Sequence, residues 1–300
     1  MKALDRKLLR DLRLMWSQAL TIALVVASGI GGFITSLSAV ESLALARDGF
    51  YADARFADLF ASVKRAPQAL AEQLAARPGV AEVQTTVEQM VRIELPGTAD
   101  PIIGQLIGLD PRRPHSLNRV TLASGRALDG AGLRRGDGAL EVLVSEGFAQ
   151  ARGLKPGATL KALVNGRQRT LVIVGTALSP EFVFAGLWGM PDLRGFGIFW
   201  MDREALASAY DMNGAFNRIA IRLAPGASEA AVIDALSRTL EPWGGREIVG
   251  RADQTSHAML DNEIKEQRVL GTVLPAIFLG VAAFLLNVVV SRLVATQREQ

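Results

Sequence analysis

The chain has 300 residues with 33 Lys+Arg, 30 Asp+Glu and no cysteine, and about half of it is apolar, with a mean hydropathy of +0.23. Without cysteine there are neither disulfides nor thiolate metal sites. The small positive balance lies outside the centre: Glu41 to Gln267 holds 25 Lys+Arg and 27 Asp+Glu, a net of −2, so the basic surface a nucleic-acid reader needs is missing from the central domain.

Residues 1–15 place Leu4, Leu8, Leu12 and Met15 on one helical face, with Lys2, Arg6, Lys7, Arg10 and Arg13 mostly elsewhere. That pattern predicts a cytoplasmic amphipathic helix lying on a membrane surface; the simpler reading is a positive flank that only sets topology. From Trp16 to Val40 no charge occurs, and about 20 apolar residues suffice to cross a bilayer. A cleaved signal has a shorter apolar core, roughly 7–15 residues, so 16–40 is read as the first transmembrane helix. Within it, Ala27 with Gly31 and Ser28 with Gly32 are small residues at i,i+4 spacing, a pattern that lets another helix approach. The "GIGG" at Gly29–Gly32 follows no strand, so it is not a dinucleotide fingerprint.

The central segment 41–267 reads as α+β. Strand-like residues from Phe56 to Val63 precede "PQALAEQLAARPG", a helix ended by Pro78–Gly79, and then a strand from about Val80 to Leu95. The order returns in "FNRIAIRLA", a helix with Ser228 as N-cap, and "GGREIVG". These two β-α-β units, about 50–110 and 212–252, predict a split ferredoxin-like sheet. Between them, about 111–211 forms a β-rich insertion: a strand and short helix from Ser145 to Gly153, a hairpin turning at Asn165–Gly166, and a strand at "FGIFWM". Residues 253–267 predict a helical stalk.

A second uncharged run, Val269–Ser291, lies between Arg268 and Arg292 and makes 268–291 the second transmembrane helix. Pro275 bends it or marks its start, and Asn287 is its one strongly polar side chain. Basic residues before the first run and after the second place both ends in the cytoplasm. Phosphate-cradling loops are absent, and His115 and His257 lack a second ligand at useful spacing; both read as polar surface histidines. Catalytic, cofactor-binding and metal-ligating residues are therefore all predicted to be none.

One stretch, "SPEFVFAGLWGMPDLRGFG", gathers Phe182, Phe184, Leu187, Trp188 and Met190 in a Gly- and Pro-punctuated loop. It is a candidate cargo or partner contact, with burial in the β-rich part as the competing reading.

The sequence "VLVSEGFAQARGLKPGATL" followed by "RTLVIVGTAL", set between two spans and running into "SRLVATQREQ", resembles the FtsX-like or MacB-like permeases of ABC transporters over essentially the whole chain. The resemblance implies an inner-membrane, multi-pass permease subunit with both ends cytoplasmic and the large domain periplasmic. It implies that 292–300 begins a cytoplasmic coupling region, with Arg292, Gln297 and Arg298 as the ATPase-coupling candidates. Such permeases use more than two spans, so the chain is expected to be a portion of a longer one. Implied partners are a separate ABC-type ATPase subunit that carries ATP, membrane lipids, the rest of the permease or a second copy, and a periplasmic partner; the cargo class is lipid, lipoprotein or another hydrophobic molecule. The alternative is a membrane-anchored periplasmic scaffold or sensor without transport. An ectoenzyme is disfavoured, since no acid/base pair or nucleophile has a recognisable setting.

Overall fold

A computed structural model describes residues 13, 16–98, 102–112, 117–129, 138–187 and 190–298. The proposed amphipathic helix at 1–15 lies outside the described residues apart from Arg13, as does His115. The chain divides into two compact units, one holding the described residues up to Asp48 together with those from Asp261 onward, the other Gly49–Leu260.

The first unit is built from two long helices, α1 (Trp16–Asp53) and α6 (Thr255–Arg298), whose end turns nearest the chain's centre, Gly49–Asp53 and Thr255–Leu260, belong to the other unit. Both are long and apolar enough to cross a membrane. Along them Leu20, Leu24, Ile34, Ile277, Phe278 and Phe284 are exposed. α6 runs unbroken through Pro275, so that residue neither starts the helix nor ends it. Asn287 bonds within its own helix, accepting from Ser291 Oγ at 3.1 Å. Glu41 and Arg268, the charges that close the two apolar runs, face each other at 4.0 Å. Just beyond them Asp261 receives Arg47 Nη1 at 3.0 Å and Lys265 Nζ at 2.7 Å. The charged pairs thus begin where the apolar runs stop.

In the second unit, β1 (Leu59–Pro67), α2 (Ala69–Ala75), β2 (Val80–Thr86), β12 (Ala215–Leu223), α5 (Glu229–Leu240) and β13 (Val249–Gly250) form an antiparallel sheet of order β13-β1-β12-β2. Leu70 and Leu74 of α2 and Val232, Leu236 and Leu240 of α5 are buried with Leu59, Val63, Phe216, Ile219 and Ile221. The i,i+4 leucines and the alternating strand residues meet because each period puts its apolar set on one face. Ser228 caps α5, accepting from Ala231 N at 3.5 Å.

The remaining strands are β3 (Glu88–Glu94), β4 (Ile102–Leu109), β5 (Thr121–Gly125), β6 (Leu140–Ser145), β7 (Thr159–Val164), β8 (Arg167–Leu178) and β11 (Phe196–Asp202). They order as β5-β8-β6-β11-β4-β3-β7, and β7 pairs again with β8. Six strands therefore close into a barrel, and β5 extends the far half of β8. Closure removes the open edge that a flat sheet would expose. Its interior holds Val91, Ile93, Leu106, Val142, Val144, Ile173, Phe199 and Met201, with Phe148 of α3 (Glu146–Arg152) edge-on to Phe199 at 5.6 Å.

Three expectations change here. The strand expected from Val80 to Leu95 is two strands in different sheets. β3 and β4, assigned to the β-α-β part by the boundary near 110, belong to the barrel, because their partners are β7 and β11. α1 also continues past the apolar run to Asp53; the Ala- and Leu-rich segment 41–53 keeps helix-forming residues without a proline. The hairpin at Asn165–Gly166 matches its expectation. Both residues have positive φ, 44° and 74°, the backbone that a two-residue turn between twisted strands requires.

Candidate functional site in the central domain

The predicted apolar loop begins after β8. Ser179 Oγ accepts from Glu181 N at 3.4 Å and starts a short 3-10 turn, Pro180–Phe182. Phe182 is half-buried, edge-on to Trp200 at 6.3 Å, with the Arg218 guanidinium 5.4 Å from its ring centre. Phe184 is half-buried as well, and its backbone N–H donates to the buried Ser256 Oγ at 2.9 Å. The chain then folds into a small hairpin, β9 (Gly186–Leu187) with β10 (Met190–Pro191). A side chain at Gly186 would collide with the Met190 carbonyl, so the hairpin's close approach requires glycine there. Met190 is 71% exposed, while Trp188 and the Leu187 side chain lie outside the described residues. Of the described side chains among the five, Phe182 and Phe184 pack inward and Met190 is exposed.

Beside Phe182 sits a cluster that the sequence did not announce. Arg218 of β12 bonds Glu88 at the start of β3 through Nη1 and Glu181 through Nη2, the latter at 2.9 Å. Gln105 of β4 donates to Glu88 Oε2 at 2.9 Å. Asn217 brackets the Glu88 backbone, donating to its carbonyl and accepting from its N–H, both at 2.8 Å. The cluster thus ties the four-stranded sheet to the barrel. Burial opposes the Arg218 charge, but the two carboxylates outweigh it and hold the guanidinium's pKa above its ordinary value. Burial pushes the Glu181 carboxyl up, Arg218 pulls it down, and Glu88 adds to the rise, for a net upward displacement.

A second set of bonds joins the segment leaving α1 to the one entering α6. Arg251 donates from Nε to Ala57 O at 2.9 Å and from Nη2 to Phe56 O and Asp58 Oδ1, both at 2.6 Å, and stacks over the Phe56 ring at 5.3 Å. Asp58 Oδ2 accepts from Leu223 N at 2.9 Å. Gln254 Nε2 donates to Glu181 O at 2.9 Å, and His257 Nδ1 lies 3.2 Å from Tyr51 Oη. His257 is thus no surface histidine: it is half-buried against the Tyr51 and Phe56 rings. Among the described residues no group of three His, Asp or Glu side chains is placed to hold a metal ion.

A cleft of about 450 Å³ opens on another side, lined among others by Gln68, Thr85, Asp110, Arg203 and Met212. Arg203, the first residue of α4 (Arg203–Ala209), donates to Thr85 O at 3.1 Å and Gln68 Oε1 at 3.0 Å, a further tie between barrel and sheet. Burial lowers its pKa, while Asp110 acts the other way.

Of the helix-packing candidates, Ala27, Ser28, Gly31 and Gly32 are all exposed. The close approach is made instead by Gly29, where an added Cβ would lie 3.1 Å from Leu279 Cδ2, and by Gly271 against Ser36. The i,i+4 spacing was present in the sequence, but nothing in it distinguished which small residue faces the neighbouring helix. Arg292, Gln297 and Arg298 lie in the last turns of α6, and their side chains are outside the described set.

The family described as MacB-like periplasmic core domain matches residues 19–239. The chain belongs to that family. The resemblance to MacB-like permeases drawn from the loop and span order is thereby borne out, and the family is one of transporter permease domains rather than of catalysts. Among solved structures, the periplasmic region of MacB from Actinobacillus actinomycetemcomitans is similar at 10% identity and a TM-score of 0.40, covering 69% of this chain and 92% of that one. The extracellular domain of the noncanonic ABC-type transporter YknZ from Gram-positive bacteria is similar at 12% identity and 0.40, covering 63% and 97%. A domain of a putative permease from Porphyromonas gingivalis is similar at 18% identity and 0.34, covering 63% and 84%. No curated protein matches the sequence. The family assignment rests on the sequence match.

Proposed function

We propose that the chain is a portion of the permease subunit of an ABC-type transporter, with α1 and α6 crossing the inner membrane and the central domain in the periplasm. The observation that carries this reading is the family match, which starts inside the first apolar helix and extends through both β parts of the central domain. The strand order β13-β1-β12-β2 supports a split ferredoxin-like core. The meeting of Glu41 and Arg268 where both apolar runs end supports a membrane boundary at that level.

In the proposed cycle a separate ATPase subunit holds ATP, and this chain supplies no cofactor site. The cytoplasmic stretch from Arg292, including Gln297 and Arg298, contacts the ATPase. The ATPase binds two permease conformations with different affinity, without which ATP shifts nothing. The conformational change reaches the periplasmic domain, where Met190 and its hairpin meet a hydrophobic cargo or a periplasmic partner; the cargo class is lipid, lipoprotein or another hydrophobic molecule.

The topology is directly testable because the chain has no cysteine of its own. Ser237→Cys, exposed on α5, is expected to react with a membrane-impermeant maleimide in intact spheroplasts, and Ala295→Cys, near the end of α6, only after permeabilisation. Reaction of both in intact spheroplasts, or of neither, overturns the orientation. Stable, correctly oriented protein that never associates with an ATPase supports the anchored scaffold instead.

A further inference from the structure

The buried cluster around Arg218 has an unequal charge count: one guanidinium stands between two carboxylates. Glu88 has the greater access to water, with 26% of its side chain exposed, and it is further satisfied by Gln105. Glu181 is the more enclosed, with 10% of its side chain exposed. It lies against a cavity of about 20 Å³ shared with Gln84, Thr86, Asn118, Trp200 and Arg218. Asn118 is 3% exposed; its Oδ1 accepts from Ala57 N at 2.8 Å, while its buried Nδ2 has no hydrogen-bond partner among the described residues. The charged groups acting on Glu181 are Arg218 from β12, which lowers its pKa, and Glu88 from β3, whose like charge raises it. The neutral Gln254 meets only its backbone carbonyl.

Two ionised carboxylates on one guanidinium leave a net negative charge in a low-dielectric interior, which is costly unless a proton neutralises one of them. We propose that Glu181 is a proton-binding site: in the folded domain at neutral pH its carboxyl carries a proton while Arg218 stays paired with Glu88. Oε1 of Glu181 accepts from Arg218, which leaves Oε2 to carry the proton.

The site has structural consequences through short covalent paths. Glu181 lies in the turn that begins at Ser179, its carbonyl holds Gln254, and Phe184 beyond it holds Ser256. Loss of the proton places a second charge in the cluster and loosens the turn together with these two ties to the start of α6. The proposal does not depend on the transport reading: a proton at Glu181 is a property of the folded domain whether or not an ATPase binds.

The sign of the pH dependence follows from the direction of the Glu181 shift. A carboxyl raised in the folded state contributes stability that is complete below its unfolded value and is lost as pH rises through its folded value. The test uses the full chain in detergent, with thermal unfolding measured across pH for the natural sequence, Glu181→Gln and Glu88→Gln. Glu181→Gln, which mimics the protonated side chain, is expected to keep Tm at pH 7 within about 2 °C and to abolish the fall in Tm that the natural protein shows as pH rises from the unfolded carboxyl range through the folded Glu181 value. Glu88→Gln is expected to lower Tm at pH 7 well beyond that. Infrared spectroscopy gives a reading that does not rely on stability: a protonated-carboxyl C=O band at pH 7, present in the natural protein and missing in Glu181→Gln. A Tm at pH 7 that falls as far in Glu181→Gln as in Glu88→Gln, or a band that Glu181→Gln leaves unchanged, overturns the proposal.

Discussion

Replacing Arg218 by Leu is expected to destabilise the central domain by about 3–5 kcal/mol, the larger of its effects falling on the junction between the four-stranded sheet and the barrel. The change leaves Glu88 and Glu181 facing each other without the guanidinium that separates them, and removes the cation from the Phe182 ring. Glu181 then loses the cation that pulls its carboxyl pKa down, so its upward displacement grows. The defect should therefore deepen as pH rises and shrink in mild acid. The control is a triple variant, Arg218→Met with Glu88→Leu and Glu181→Leu. A buried ion cluster replaced whole by apolar side chains is often close to neutral, so this variant should recover most of the lost stability. Thermal unfolding of the purified chain at two pH values checks both expectations; a single variant with unchanged Tm would show that the cluster contributes only specificity.

Trp200→Ala is the second large effect, about 3–5 kcal/mol, or a Tm drop of about 6–20 °C for a domain of this size. Trp200 is 2% exposed and packs on the outer face of β11 with Ile107, Leu143, Val174 and Phe196, edge-on to Phe182. Truncation removes the largest side chain of that cluster and the support of the turn carrying Glu181. Trp200→Phe retains a ring in the same place and should lose much less. If the alanine variant unfolds at the natural temperature, the outer cluster collapses into the space and does not hold the turn.

Both positions illustrate what the residue order did and did not disclose. Local signals were readable: Ser145 and Gly153 bound α3, Asn165–Gly166 turns the β7–β8 hairpin, and Ser228 caps α5. "FGIFWM" reads as an uninterrupted apolar strand because β11 is covered on both faces, Phe199 and Met201 toward the barrel interior and Ile198 and Trp200 outside. Barrel closure was not readable. It depends on β8 pairing with β6, β7 and β5 and on β4 lying parallel to β11, and pairings between distant segments leave no periodic mark in a single sequence.

The same holds for the cluster. Glu88, Glu181 and Arg218 lie in three separate elements, and each reads alone as an ordinary surface charge. The one available hint was Arg218 itself, a charge within "FNRIAIRLA" on a strand otherwise rich in buried residues. For the apolar loop, composition marked the right stretch without separating inward Phe182 and Phe184 from exposed Met190. That division follows from the turn at Ser179 and the hairpin that Gly186 permits.

The proposed action of this chain with a separate ATPase is tested most directly by isolation from membranes. The complete gene product is purified with its natural neighbours, once intact and once with the segment from Arg292 deleted, and each preparation is assayed for a bound ATPase. Retention of an ATPase by the intact protein and its loss from the deleted form is the predicted result; a stable, correctly inserted intact protein that retains none contradicts it.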